Sequence, residues 1–167
     1  QKVVGYDDRG DRVAVHNVVS CGVCKACRAG DFVRCPDWDY RNDVNGGYAE
    51  LVAPPERNCL KLDDSIDFET GCLILDNWGT PFSAMEKVKI RPGDFVVVSG
   101  CGPIGLGAVG IAKLHGASVI AVDPVPRRLE VAARLGAEAG LPPNEGLPEA
   151  VRKHTGGLGA HFVVECS

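Results

Sequence analysis

The sequence predicts an α/β chain in two parts: a small β-rich half carrying a four-cysteine lobe, then the first half of a doubly wound parallel sheet. Three observations predict it. The β-branched run Val96-Val97-Val98-Ser99 empties into Gly100, Gly102 and Gly105, and a helix-permissive stretch follows. From there strand and helix patterns alternate, as parallel strands joined by crossover helices do. Ahead of them, Cys21, Cys24, Cys27 and Cys35 sit among short strand-like runs separated by turn residues.

Taken in order, Gly10-Asp11-Arg12-Val13-Ala14-Val15 reads as a turn into a short strand, and His16 ends it as a surface or hydrogen-bonded residue. Trp38 to Asn45 reads as a polar, aromatic surface loop. Gly46-Gly47-Tyr48-Ala49-Glu50-Leu51-Val52 predicts a return to strand, closed by Pro54-Pro55, and Asn58 to Leu62 a further short strand. Asp67 to Leu75 predicts a helix with acids in its first turn, where the dipole favours them. A second helix is expected over Pro81 to Val88, after a junction at Asp76-Asn77-Trp78-Gly79-Thr80. The turn Arg91-Pro92-Gly93-Asp94 launches strand Val96 to Ser99. Helix Ile104 to Leu114, strand Val119 to Val122 and helix Val125 to Leu135 follow. Helix Glu149 to His154 and strand Phe162 to Glu165 complete the series.

The four clustered cysteines are spaced by two, two and seven residues. A loop of that size wraps four sulfurs tetrahedrally around one Zn²⁺ at about 2.3 Å each, and an all-cysteine shell leaves no position open to substrate. Gly22 and Gly30 supply the turns, while Lys25, Arg28 and Arg34 offset the charge of four thiolates. Disulfides, an iron–sulfur cluster and unligated thiols are the rival readings. Of the chain's eight cysteines, the other four (Cys59, Cys72, Cys101, Cys166) are scattered through apolar or turn contexts. That distribution suits one structural metal site in a reducing, cytoplasmic compartment better than a disulfide framework.

The glycine run reads as a dinucleotide-binding loop. Gly100 turns the chain off the strand, Gly102 lets backbone approach a pyrophosphate, and Gly105 lets the helix pack close. Pro103 and Ile104 open the helix, whose N-terminal N–H groups and dipole suit phosphates. Asp123 ends the next strand, where a carboxylate accepts from the ribose hydroxyls and repels a 2′-phosphate, so NAD is favoured over NADP. Arg128 reads as stacking near the adenosine or capping the ribose edge. Cys101, at a helix N-terminus, has either a stabilised thiolate or a plain packing role.

Bulk properties exclude other classes. The net charge of −4 argues against nucleic acid and anionic membranes as partners. No run approaches the roughly 18 apolar residues of a membrane helix. The opening at Gln1, the single methionine Met85, and the stop at Ser167 soon after Phe162-Val163-Val164 give the expectation of a piece of a longer protein.

Together these residues resemble the middle of a zinc-containing medium-chain dehydrogenase, the alcohol and polyol dehydrogenase superfamily. The resemblance rests on Gly10-Asp11-Arg12-Val13, the cysteine lobe and Gly46-Gly47-Tyr48-Ala49-Glu50. Pro92-Gly93-Asp94, Ser99 to Gly105 and Leu135-Gly136-Ala137 extend it along the whole chain. It implies a partial GroES-like catalytic domain over 1–76, with its zinc lobe at 21–35, and a partial Rossmann domain over 77–167. It implies a catalytic zinc with a cysteine and a histidine from an upstream segment, and it puts Asp76 on a further ligand position. A helix N-cap is the alternative role for Asp76. Thr80 falls where the nicotinamide ring packs, and Trp78 in the substrate cleft or the core. The implied activity is NAD-linked, zinc-dependent interconversion of an alcohol and its aldehyde or ketone. The implied partners are a small alcohol or carbonyl substrate and, for the intact protein, further copies of itself. This stretch alone is expected to be inactive. The competing class is a non-catalytic zinc- and dinucleotide-binding module or a redox sensor using Cys101.

Overall fold

The computed structural model describes residues 3–37 and 47–167. The chain divides into two compact units, Gln1–Leu75 and Asp76–Ser167.

The first unit is built on β1 (Val3–Tyr6), β2 (Arg12–Val15) and β3 (Cys59–Lys61), an antiparallel sheet in the order β1-β2-β3. Val3 lies opposite Val15, and Val13 opposite Lys61. Asp7 closes the first hairpin because its carboxylate accepts from the backbone N–H groups of Arg9 and Asp11. The same turn uses Gly10 at φ 83°, a conformation that glycine adopts without penalty. Val13, Ala14, Val15, Val19 and Leu62 form the buried apolar set. α1 (Lys25–Arg28) lies inside the cysteine lobe, and α2 (Phe68–Leu73) begins at Asp67, whose side chain accepts from the Thr70 amide at 2.6 Å.

Two expectations need correction here. Residues 47–52 form bends and irregular backbone rather than a strand. Tyr48 and Leu51 are 96% and 90% exposed, so the alternation there has no core to bury itself in. The remainder of that expected strand, Gly46, and the expected surface loop at Trp38 to Asn45 lie outside the described residues. The junction expected at Asp76 to Thr80 is no break either. α2 runs into a π-helical turn, Ile74–Trp78, and on into α3 (Gly79–Val88).

The second unit carries β4 (Phe95–Ser99), α4 (Pro103–Leu114), β5 (Ser118–Val122) and α5 (Pro126–Arg134). These are followed by β6 (Ala139–Leu141), α6 (Leu147–His154) and β7 (Phe162–Glu165). The strands are all parallel, in the order β6-β5-β4-β7. Period-two alternation sends β4 side chains to opposite faces. Val96 and Val98 join Val119, Ala121, Met85 and the α4 residues Ala108, Val109 and Ala112 in one core. Val97 joins Ile120, Val122 and Val151 of α6 in the other. Complete burial of Val96, Val98 and Val119 contributes about 1.5–3 kcal/mol each. The chain leaves β4 towards β5 on one side and returns beside it as β7 on the other. The crevice at the carboxyl ends of β4 and β7 is therefore the switch point where open α/β sheets bind ligands.

Candidate metal centre and nucleotide-binding loop

In the first unit, the Sγ atoms of Cys21, Cys24, Cys27 and Cys35 all lie within 4.8 Å of one another. Cys21 and Cys27 are 3.9 Å apart at sulfur. A tetrahedron with 2.3 Å Zn–S bonds has edges of about 3.8 Å, so the four sulfurs fit a single ion and sit well beyond bonding distance for a disulfide. Local backbone makes the site. Gly22 and Gly30 turn the chain at φ 78°, and Cys24 caps α1 by accepting from the Cys27 amide at 3.5 Å. The amides of Cys24 and Cys21 point at the sulfurs of Cys21 and Cys35, both at 3.4 Å. A hydrogen bond from Ser20 leads the effects that pull the Cys27 thiol down to about 6. At Cys35 the Cys21 amide pulls down, but burial and the Cys21 and Cys27 thiols together push it up to about 11. Four thiolates at this spacing need a cation among them.

Arg34 pairs with Asp31 at 3.2 Å rather than serving the sulfurs alone. Arg57 was not legible from sequence. It donates to the Ser20 carbonyl and stretches beside Gly22, where an added Cβ would lie 3.5 Å from its Cδ and Nε. Only the fold brings a residue that distant in sequence onto the lobe. His16 stays out of the cluster: its Nδ1 accepts from the Val18 amide, and its ring meets Phe32 edge-on.

In the second unit, the glycines behave as their spacing requires. Gly100 adopts φ 87°, and a Cβ there would sit 2.7 Å from the Ser167 nitrogen. At Gly105 a Cβ would fall 1.8 Å from the Gly100 oxygen, so only glycine lets α4 start this close to the loop. Gly102 differs: a Cβ there would meet nothing within 4 Å, which places open space over the loop. Gly102 is the N-cap of α4, Pro103 takes its first position, and no side chain caps it. The first-turn amides of Ile104 and Gly105 therefore remain for an anion, with the helix dipole behind them.

Asp123 ends β5 at 2% exposure. Its Oδ2 accepts from the Cys101 amide at 2.8 Å, its Oδ1 from the Val125 amide at 2.8 Å, and Arg128 Nη1 is 3.4 Å from Oδ2. Burial works to raise its pKa, but the two amides and Arg128 outweigh it and hold the carboxyl below its ordinary value. Arg128 itself remains half exposed. Cys101 is fully buried, and burial, with the Asp123 charge, pushes its thiol up to about 11. That is the reverse of what a reactive thiolate needs.

Asp76 lies in the π-helical turn and accepts from Thr80 Oγ1 at 3.1 Å. It sits inside the helical run, and Trp78 occupies the N-cap position of α3. Trp78 packs against the larger core. Two glycines that the sequence reading passed over explain the close fit. A Cβ on Gly107 would lie 1.9 Å from the Asn77 carbonyl oxygen, and one on Gly110 would lie 2.7 Å from the Trp78 ring. The signal was present: glycines three apart inside a helix are unfavourable unless something approaches that face. Among the described residues, Asn77 Oδ1 is the buried side-chain polar atom without a hydrogen-bond partner.

A cysteine quartet in an antiparallel β unit, followed by a parallel sheet whose first crossover opens on this glycine loop, defines the class. The chain belongs to the zinc-containing medium-chain dehydrogenase superfamily. The model of the alcohol dehydrogenase GroES-like domain matches residues 2–64, and that of the zinc-binding dehydrogenases matches residues 103–167. An uncharacterized zinc-type alcohol dehydrogenase-like protein of Escherichia coli, YphC, is 35% identical over 164 residues, which is 95% of this chain and 46% of that protein. Sorbitol dehydrogenase of Bacillus subtilis is 36% identical over 131 residues, covering 77% of this chain and 37% of the enzyme. The crystal structure of an NAD-dependent alcohol dehydrogenase superposes with a TM-score of 0.83 at 34% identity, over 92% of this chain and 46% of that one. The alcohol dehydrogenase of Aeropyrum pernix gives 0.80 at 31% identity, over 92% of this chain and 47% of that one. The chain thus spans less than half the length of these relatives.

Proposed function

We propose that this chain is part of an NAD-linked, zinc-dependent oxidoreductase that interconverts an alcohol and its aldehyde or ketone by hydride transfer. The observation that carries the reading is the loop Gly100–Gly105: open space over Gly102, two uncommitted amides and an uncapped helix N-terminus within one turn. The nicotinamide ring supplies hydride acceptance, and a catalytic zinc supplies Lewis-acid polarisation of the substrate oxygen. The chain's own residues bind and orient. Gly100, Gly102, Pro103, Ile104 and Gly105 cradle the pyrophosphate, and Arg128 borders the adenosine. The carboxylate of Asp123 disfavours a 2′-phosphate, which supports NAD over NADP. Asp76 is the proposed ligand to a catalytic zinc and Thr80 the residue beside the nicotinamide. Cys21, Cys24, Cys27 and Cys35 hold a structural zinc. The catalytic and cofactor-binding domains are assigned to 1–76 and 77–167.

Among the described residues, the cysteine quartet is the only cluster of three or more metal-ligating side chains. The 167 residues are expected to hold one zinc at the quartet and to bind NADH at the glycine loop. Metal analysis and NADH fluorescence titration of the purified chain test this together. One zinc per chain with saturable NADH binding supports the reading, and a folded chain that binds no NADH refutes it. Names of relatives such as sorbitol dehydrogenase and L-threonine 3-dehydrogenase support a small hydroxylated substrate.

A further inference from the structure

Arg57 and Asn58 close the 3₁₀ turn Glu56–Asn58 that leads into β3, and both reach back to the segment that enters the cysteine lobe. Asn58 is 4% exposed. Its side-chain NH₂ donates to the carbonyls of His16 at 2.8 Å and Val18 at 2.9 Å, and its own carbonyl accepts from the His16 amide at 2.8 Å. Arg57 adds the next rung, since its Nη2 donates to the Ser20 carbonyl. Its stem lies over the loop between the first two cysteines, where an added Cβ on Gly22 would be 3.5 Å from Cδ and Nε and 4.0 Å from Cζ. The Ser20 carbonyl differs from the other two in what lies across its peptide. That oxygen and the Cys21 N–H belong to one planar amide. The N–H points at the Cys35 sulfur at 3.4 Å. A hydrogen bond accepted at the oxygen fixes the plane that aims the N–H, and it polarises the amide so that the N–H donates more strongly. Cys35 is 1% exposed, so solvent offers little in place of that donor.

We propose that Arg57 is a positioning residue for the metal lobe: by gripping the Ser20 carbonyl it orients and polarises the Ser20–Cys21 peptide towards the Cys35 sulfur, and so sets how tightly the quartet holds its zinc. The proposal rests on the structural-zinc reading above and deepens it. Direct hydrogen-bond partners of metal ligands carry about 10–100-fold in metal affinity. Arg57 stands one step further out, with a peptide between, so the lower end of that range, about tenfold, is expected.

The test compares the zinc-loaded wild-type chain with Arg57→Met, which keeps an unbranched stem over Gly22 and removes the donor. Zinc affinity is read by competition with a chelator, and the lobe amides by proton–nitrogen NMR. The Cys24 and Cys27 amides serve as internal references, because they point at the sulfurs of Cys21 and Cys24 at 3.4 Å and 3.5 Å and not at Cys35. Arg57→Met is expected to weaken zinc binding by about tenfold. It is also expected to shift the Cys21 amide proton upfield and to speed its hydrogen exchange by about tenfold, while Cys24 and Cys27 stay within about twofold of wild type. An unchanged Cys21 amide overturns the proposal. So do equal changes at all three amides, or a zinc affinity within about twofold of wild type. Where Arg57→Met does not fold, wild type alone decides. A gripped guanidinium gives separate Nη signals, because its rotation is slowed, and a freely rotating one overturns the proposal. A folded wild type that binds no zinc is a different result, and it removes the structural-zinc reading itself.

Discussion

Replacing Gly107 with alanine tests the packing that brings the Asp76 turn against α4. Intrinsic preference favours the change, since alanine is better than glycine in a helix interior by about 1 kcal/mol. The fold opposes it. The new Cβ would lie 1.9 Å from the Asn77 carbonyl oxygen, where real Cβ atoms keep at least 3.0 Å. Both partners are helical backbone, so neither can swing aside, and the π-helical turn and α4 must part by on the order of 1 Å. A gap of about that size forfeits a quarter to a half of the dispersion energy of the atoms that line it. Overpacking of this kind costs about 1–3 kcal/mol, occasionally more. With the alanine preference set against the clash, the net expectation is a loss of up to about 2 kcal/mol. A domain of this size then melts up to roughly 15 °C lower, at about 4–8 °C per kcal/mol. Thermal unfolding followed by circular dichroism measures it. Gly102→Ala is the matched control: open space surrounds it and its φ is −70°, so melting stays within a degree or two while NADH binding weakens. A Gly107→Ala chain that melts at or above wild type refutes the close approach.

Three further outcomes are expected. Cys35→Ser, which removes a ligand at 1% exposure, lowers bound zinc from one per chain to below one half and lowers the melting temperature, read by metal analysis and calorimetry. Lys89 ends α3 at φ 58° with its amide bonded to the Met85 carbonyl, so Lys89→Gly stabilises the chain by about 1 kcal/mol in denaturant titration; no gain sinks this account of the cap. His115 Nε2 meets Glu86 at 3.0 Å and its Nδ1 meets the Ile111 carbonyl at 2.9 Å, so both ring nitrogens face acceptors and the protonated ring is favoured. The Glu86 hydrogen bond leads in raising its pKa above 6.5. Its contribution is therefore complete below pH 6.5 and is lost as pH rises through the raised folded-state value. The stability gap between wild type and His115→Gln should narrow as pH rises from 6 to about 9, whereas a constant gap excludes the linkage.

The legible features were those whose cause is local. β4, the glycine turn and α4 follow from β-branched runs, glycine spacing and a proline at the first helical position, all within a dozen residues. The cysteine quartet declares itself by spacing, and the structure gathers its sulfurs within 4.8 Å. What escaped depends on partners remote in sequence. β1 reads as strand only once β2 lies beside it, and β6 is a three-residue strand held by β5. Arg57 reaches the zinc lobe through the fold alone. The glycines at 107 and 110 were seen as a helix and not as a surface, because the approaching Asn77 and Trp78 belong to another element. The expected strand over Gly46–Val52 shows the converse. A pattern can satisfy strand periodicity and still stay irregular over residues 47–52, where the described part exposes its large apolar side chains.

The position of β4 in its sheet has a consequence for synthesis. One flank pairs early with β5, but the other pairs with β7, Val96 lying against Phe162 and Phe95 bonding His161 across a separation of 66 residues. At about 5–20 residues per second, a ribosome takes roughly 3–13 s to deliver that partner. Through that interval an apolar strand with unpaired amides is open to other nascent chains, the geometry from which edge-to-edge aggregation starts. The strand that bears the glycine loop thus stays open on one flank until β7 has been made. The chain's yield in cells should depend on chaperone supply more than its final stability would indicate.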